Sequence, residues 1–139
     1  MIDPGPALQK AIVAALRAGP ELIEQFRGAT PRVYDSIPNP AVFPYIQVGE
    51  DQTLNDGEDD GECLAGSEVF CTIHVWSRAV GKVEAKLICG AIREALSATL
   101  AVEGQRVVVS QFRDVRILTD PDGLTAHGVY THRFLLEPA

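Results

Sequence analysis

The sequence predicts an α+β domain in which helices pack on one face of an antiparallel sheet. Two stretches repeat apolar residues at helical spacing, and five others show the alternation or the β-branched content that is typical of strands. The connections between strands are of the hairpin type and contain Gly, Pro, Asp or Asn. The 139 residues match the common size of one domain, so we expect a single domain over residues 1–139.

The first helix is predicted to start near Pro4 and Pro6, because proline is tolerated in the first helical turn. Gly19-Pro20 ends it. Its apolar residues recur at helical spacing and are Leu8, Ile12, Ala15 and Leu16. A short second helix is predicted over Glu21–Phe26, with Gly28 as its stop.

The strand predictions begin with Arg32–Asp35 and, after a proline-rich loop, Tyr45–Glu50. In the second of these, Ile46 and Val48 face one side, which is the pattern of a half-buried strand. The third strand, "SEVFCTIHVWS", is the strongest, because it is rich in β-branched and aromatic residues.

The clearest helix follows over Lys82–Leu100. Its apolar residues form one stripe, which comprises Ala85, Ile88, Cys89, Ile92, Ala95 and Leu96. A long strand over Arg106–Leu118 changes its apolar phase between Phe112 and Val115, which predicts a bulge or bend. Asp120–Gly123 then forms a turn, and the last strand is Val129–Leu136.

Charge and cysteine content narrow the functional classes. The net charge of −7 argues against non-specific binding to nucleic acid or to an anionic membrane. The three cysteines are an odd number, which favours a reduced, cytosolic setting over a disulfide framework. The longest uncharged run, residues 36–49, contains three prolines and cannot be a membrane helix.

The stretch "CTIHVWSR" contains reactive residue types, yet it does not predict a metal or catalytic site. Cys71 and His74 are three positions apart, so a strand points them to opposite faces. No C-x2-C or H-x3-H pairing and no nucleophile elbow is present. We expect no catalytic residue, no metal and no cofactor. The alternative is a small metal-dependent enzyme or ligand-binding module that uses Cys71, His74, His127 or His132.

The acidic segment over residues 50–62 holds seven of the nineteen acids and no base. Asp56, Glu58, Asp60 and Gly61 match four positions of a calcium-binding EF-hand loop. Position 12 would be Ser67 and not glutamate, and the flanking segments are strands, so we interpret the segment as a solvated loop or hairpin tip.

The strand at residues 69–76 is apolar on both faces, which is unusual for a small domain with a single sheet. Val69, Cys71 and Ile73 can face the helices, which leaves Phe70 and Trp76 in need of a cover on the other face. Large aromatic residues in such a place often anchor subunit contacts, so the pattern favours self-association. A second helix layer is the alternative.

Three stretches together resemble the small tail terminator proteins of tailed phages and prophages, also described as tail completion or head–tail joining proteins. The stretches are "RVYDSIPNPAVFPYIQVGED", "HVWSRAVGKVEAKLICGAIREAL" and "DPDGLTAHGVYTHRFLLE". The family includes components of gene transfer agents, and the resemblance covers nearly the whole chain. Its most specific parts are Tyr34…Pro38…Phe43-Pro44-Tyr45, Trp76-Ser77-Arg78…Gly81 and Asp122-Gly123 with His127-Gly128.

The resemblance implies a twisted antiparallel sheet with packed helices and a structural, non-enzymatic role in the virion, after assembly in the bacterial cytoplasm. A homo-hexameric ring would cap the tail tube and present a surface to the head-side connector, and DNA would pass through without specific binding. The partners are therefore other copies of the chain, the tail tube protein and the connector or adaptor protein, with no membrane involved. A head-side neck adaptor is the alternative within this class.

Two sets of residues are candidates for these contacts. The subunit-interface or packing candidates are Tyr34, Phe43, Tyr45, Phe70, His74 and Trp76. The candidates for an acidic lining of the bore or its rim are Asp56, Glu58, Asp59, Asp60 and Glu62. The alternative for the second set is a solvated loop that becomes ordered only on docking.

Overall fold

The computed structural model describes residues 3–55 and 66–139. Their elements are α1 (Gly5–Ala18), α2 (Pro20–Gln25), β1 (Val33–Tyr34), β2 (Tyr45–Asn55), β3 (Ser67–Ser77), α3 (Val83–Ser97), β4 (Gln105–Thr119) and β5 (Ala126–Pro138). Every predicted helix and strand is present within a few residues of its predicted bounds, except that β2 continues five residues further. The predicted α+β class is confirmed.

The sheet has five strands in the order β1-β2-β3-β5-β4. Three of its pairings are antiparallel, as predicted. The fourth differs, because β1 pairs with β2 in parallel, with Val33 opposite Ile46. The sheet is therefore mixed. The proline-rich loop between the two strands carries the chain back to the end of the sheet at which β1 begins, which is what a parallel pairing requires.

The core lies between one face of the sheet and the three helices. Val69, Cys71, Ile73 and Val75 alternate along β3 with half-buried residues and are all buried. The predicted stripe of α3 packs against this face. Gly128 on β5 marks the contact, since a Cβ added there would lie 2.8 Å from the sulfur of Cys89. Only glycine allows α3 to approach the sheet this closely.

Strand β4 contains the predicted bulge. Its register against β5 shifts between Phe112 and Asp114, so that Phe112, Val115 and Ile117 all pack toward the core. A second shift lies between Val107 and Val109. Both irregularities bend a strand at the edge of the sheet, where bulges discourage pairing with another chain.

The sheet face opposite the helices, here called the open face, is not covered by any helix of residues 3–55 and 66–139. Phe70, His74 and Trp76 are half-buried on this face, as strand alternation predicted. The predicted acidic residues Asp56, Glu58, Asp59, Asp60 and Glu62 lie outside the described residues, as does most of the EF-hand pattern.

Candidate functional site: an aromatic cluster on the open face

One end of the open face carries six aromatic rings, here called the aromatic cluster: Tyr34, Phe43, Tyr45, His74, Trp76 and His127. Strand pairing places Tyr45, Trp76 and His127 side by side across β2, β3 and β5. The ring centroids of Tyr45 and Trp76 are 5.4 Å apart. Those of Trp76 and His127 are 4.6 Å apart, with planes only 10° from parallel. The result is a stacked row that crosses three strands.

Two further rings extend this row beyond β2. Phe43 lies 5.0 Å from Tyr45, and Tyr34 lies 6.3 Å from it. Arg32 holds the loop that carries Phe43 by donating from Nε to the carbonyl oxygen of Pro44 (3.1 Å) and from Nη2 to that of Phe43 (3.2 Å).

Five of the six predicted interface candidates therefore meet in one place. The sixth, Phe70, lies four residues before His74 on β3, where the guanidinium of Arg113 is 5.5 Å from its ring centroid. Their role in subunit contacts stays a prediction.

The two histidines of the cluster form a polar chain. The Nδ1 of His74 is 2.8 Å from the Nε2 of His127, and the Nε2 of His74 is 2.9 Å from the carboxylate of Glu50. Both bonds are satisfied when His74 donates to Glu50 and accepts from His127. On the far side, the Nδ1 of His127 is 3.8 Å from the carboxylate of Asp120.

The electrostatics of the chain follow from these contacts. The hydrogen bond from His74 lowers the pKa of Glu50, so this carboxyl is ionised at neutral pH. Burial, with a smaller contribution from His74, lowers the pKa of His127. His127 is therefore favoured in its neutral form, and the carboxylates of Glu50 and Asp120 give the cluster an acidic border.

Gly49 makes room for the ring of His74. A Cβ at position 49 would lie 2.5 Å from the Cδ2 of His74 and 2.8 Å from its Nε2, which no side chain could accommodate without displacing the ring. Because the register of β2 shifts between Val48 and Asp51, Glu50 can then turn toward the same ring. The irregularity of β2 thus builds the polar part of the cluster.

Arg78 connects three segments of the chain at the edge of the cluster. Its guanidinium lies 4.3 Å from the ring centroid of Phe43, and its Nε donates to the Oγ1 of Thr125 at 3.1 Å. Asp122 accepts bonds from the backbone N–H groups of Leu124 and Thr125 and from the Thr125 hydroxyl. These hydrogen bonds lower the pKa of Asp122. The three stretches that carry the family resemblance meet at this arginine.

Cys71 and Cys89 are separated from this site, as predicted, and Cys63 lies outside the described residues. Cys71 and Cys89 are buried in the core on the helix side, and burial raises the pKa of each thiol to about 12. Both are therefore protonated and unreactive at neutral pH. Within residues 3–55 and 66–139, no group of three or more His, Cys, Asp or Glu could hold a metal ion. That the chain is not an enzyme and needs no cofactor stays a prediction.

His132 lies on the helix side of the sheet and forms a separate network. Its Nε2 is 2.8 Å from the Oγ of Ser110, and its Nδ1 is 2.8 Å from the hydroxyl of Tyr130. The Ser110 hydroxyl donates to the carbonyl of Leu96 in the last turn of α3. Burial lowers the pKa of His132 to about 4. Because the serine proton is used by a backbone carbonyl, this contact is structural and does not activate a nucleophile.

No helix in the described parts of the chain is long and apolar enough to span a membrane. The fold itself is found in virions. A chain in a solved structure titled "Virion of native gene transfer agent (GTA) particle" superposes with a TM-score of 0.84, at 24% identity, over 99% of each chain. The structure of the gp17 protein of bacteriophage SPP1 gives a TM-score of 0.59, at 26% identity, over 93% of this chain and 88% of that one.

Sequence comparison agrees with the structural comparison. The tail completion protein gp17 of Bacillus phage SPP1 is 30% identical over 131 residues, which cover 94% of this chain and 92% of the phage protein. The family model described as tail completion protein gp17 matches residues 10–137. The chain belongs to the tail completion protein gp17 family, and the predicted resemblance is confirmed.

Proposed function

We propose that the chain is a structural virion protein whose copies form a ring, six-membered as the resemblance implies. The ring caps the tail tube of a phage or gene transfer agent particle and joins it to the head-side connector. The observation that carries this proposal is the family match, which spans residues 10–137. Subunits assemble in the bacterial cytoplasm and remain in the neck or tail of the finished particle.

The aromatic cluster is the proposed contact surface of the ring. Trp76 and its neighbouring rings lie on a sheet face that no helix of the described chain covers, and stacked aromatic residues are the usual anchors of protein interfaces. Glu50 and Asp120 lie beside the cluster and favour basic groups on the partner surface.

The proposed contact is tested by replacing Trp76. Trp76→Ala is expected to prevent incorporation of the chain into particles, and Trp76→Phe, which keeps a stacking ring, to preserve it. Thermal unfolding of the purified chains separates loss of assembly from loss of folding, and mass spectrometry of purified particles measures incorporation. A Trp76→Ala chain that folds and assembles like the wild type would show that this face is not the contact.

The position of the ring is tested by its binding partners. The purified chain is expected to bind tail tube protein and to stop growth of the tube, whereas a head-side neck adaptor would bind the portal or connector and leave tube growth unchanged. Stoichiometric zinc in the purified protein would instead favour the metal-binding alternative.

The proposed acidic bore has its own test. A ring on the path of DNA benefits from a negative lining, because like charges keep the DNA from adhering. Replacing Asp56, Glu58, Asp59, Asp60 and Glu62 with Ser, or with Lys, is expected to reduce DNA delivery, most strongly for Lys. Normal delivery by intact particles would contradict the role of this segment in the bore.

A further inference from the structure

The outward surface of α3 and the turn before it carry apolar side chains that the described chain leaves uncovered. The exposures of Val80, Val83 and Leu87 are 102%, 66% and 51%. Val83, Leu87 and Gly90 are spaced four and three residues apart, so they lie on the same side of the helix. Val80, Val83, Leu87 and Gly90 are here called the α3 patch.

Gly90 is not required by the packing of the described chain. It lies in the middle of α3, and a Cβ added to it would meet no atom within 4 Å. A glycine inside a helix weakens the helix relative to alanine. Here it leaves the backbone of α3 accessible next to the exposed Leu87, which is the shape that a second chain needs for close approach.

The α3 patch and the aromatic cluster lie on opposite sides of the subunit. The helix packs on the core face through residues such as Cys89, which would contact a Cβ at Gly128, whereas Trp76 and His127 lie on the open face. The sheet and the helix layer therefore separate Leu87 from Trp76, and the two cannot meet within one copy.

Their charges are complementary. The α3 patch is bordered by Lys82 and Lys86, both exposed, while Glu94 lies one turn beyond Gly90. The aromatic cluster is bordered by Glu50 and Asp120. Of the cations near it, Arg78 is already engaged by Phe43 and Thr125, and the exposed Arg116 lies across Val129 from His74. An apolar surface with basic edges thus matches the side of the aromatic cluster that carries Glu50 and Asp120.

We propose that the α3 patch binds the aromatic cluster of a neighbouring copy of this chain. This inference rests on the proposed ring and identifies the second surface that such a ring requires, since cyclic assemblies are built from two different, complementary patches on each subunit. Leu87 and Val83 pack against the ring of Trp76, and Lys82 and Lys86 lie opposite Glu50 and Asp120.

Photocrosslinking tests the contact directly. The full-length chain, with p-benzoylphenylalanine at position 87, is produced in cells that make the parent particle without their own copy of this chain. Peptides containing Tyr45, Trp76 or His127 are expected to carry intermolecular adducts. The matched control carries the probe at Val108, which is exposed on β4, and is expected to give no adduct with these peptides. Adducts of position 87 with other segments or other proteins, or no adduct at all, would overturn the proposal.

Charge reversal provides a second, independent test. Lys82→Glu with Lys86→Glu is expected to reduce incorporation into particles about tenfold, and Glu50→Lys with Asp120→Lys in a co-expressed chain to restore it. Lys10→Glu on α1 is the control for added negative charge. Absence of rescue would contradict the pairing.

The results also separate this proposal from the one on which it rests. If Trp76→Ala blocks assembly while the reversed lysines have no effect, the ring stands and the α3 patch is not its second surface. If Trp76→Ala assembles normally, the aromatic cluster is not a contact surface of the ring. Its proposed pairing with the α3 patch is then wrong as well.

Discussion

At the scale of single residues, His74 occupies its place because Gly49 lacks a side chain. The histidine then bonds both Glu50 and His127, and it completes the aromatic row beside Trp76. The two histidines thus form a polar pair within the aromatic surface. Their geometry requires that position 49 on β2 has no Cβ.

Gly49→Ala is expected to lower the free energy of unfolding by about 1–3 kcal/mol, because the added Cβ would lie 2.5 Å from the ring of His74. Gly90→Ala is the matched control, since its Cβ meets no atom within 4 Å, and it is expected to raise the free energy of unfolding of the isolated chain by about 0.5–1 kcal/mol. Urea denaturation measures both changes. Equal effects of the two substitutions would contradict the steric role of Gly49.

His132 is expected to make stability depend on pH. Its pKa is about 4 in the folded chain and 6.5 without the effect of burial. Between these values the unfolded chain binds more protons, so the free energy of unfolding falls as the pH is lowered from 6.5 to 4. The loss from this residue is about 3 kcal/mol at most. His132→Gln, which keeps hydrogen-bonding groups, should show a shallower fall in urea denaturation at a series of pH values; an unchanged slope would count against the buried neutral histidine.

At the scale of elements, α3 is tied to the edge of the sheet by a polar contact at its end. The Ser110 hydroxyl on β4 donates to the carbonyl of Leu96, one of the last carbonyls that the helix leaves without an internal partner. The same hydroxyl contacts His132 on β5. One serine therefore connects a helix and two strands.

Ser110→Ala is expected to destabilise the fold by about 1–2 kcal/mol, because it removes a partner from both Leu96 and the buried His132. Ser97→Ala, which removes an exposed bond to the carbonyl of Glu94, is expected to change stability by less than about 0.5 kcal/mol. Thermal unfolding of the two variants gives the comparison. Similar melting temperatures would show that the Ser110 network contributes little.

Elements whose residues repeat with a clear period were predictable from the sequence. The stripe of α3 and the two faces of β3 follow from local spacing, and the changed phase after Phe112 revealed the bulge of β4. The parallel pairing of β1 was not predictable, because a strand of two residues has no period. The extension of β2 was missed because its register shift falls at Gly49 and Glu50 and its last residues are mostly polar.

The candidate site was predictable only in part. The alternation of side chains along β3 placed His74 and Trp76 on the same face, and this was correct. The contributions of His127, Glu50 and Asp120 depend on which strands are neighbours and in what register, and this information is not contained in any local pattern. The only available signal was that all three residues lie in stretches carrying the family resemblance.

At the scale of the whole molecule, the proposed subunit has two different contact surfaces separated by the sheet and the helix layer. A copy with one damaged surface can still bind a neighbour through the other, but it cannot extend the assembly further. The two-sided arrangement therefore predicts how a mixture of intact and damaged copies behaves.

Co-expression of Trp76→Ala with the wild-type chain is expected to reduce the yield of complete particles, and the reduction should grow with the fraction of variant. Ser97→Ala serves as the control for expression level, because its hydroxyl lies at the exposed end of α3. Particle counts by electron microscopy provide the measurement. A yield that depends only on the amount of wild-type chain would contradict a ring in which each copy needs two neighbours.

The burial of Cys71 and Cys89 affects how the subunit responds to an oxidising environment. Thiols react with oxidants and disulfides as thiolates, and a pKa of about 12 leaves these two almost entirely in the unreactive form at neutral pH. Both sulfurs are also shielded by the sheet and the helices. These two positions would therefore stay chemically unchanged when the chain is exposed to air.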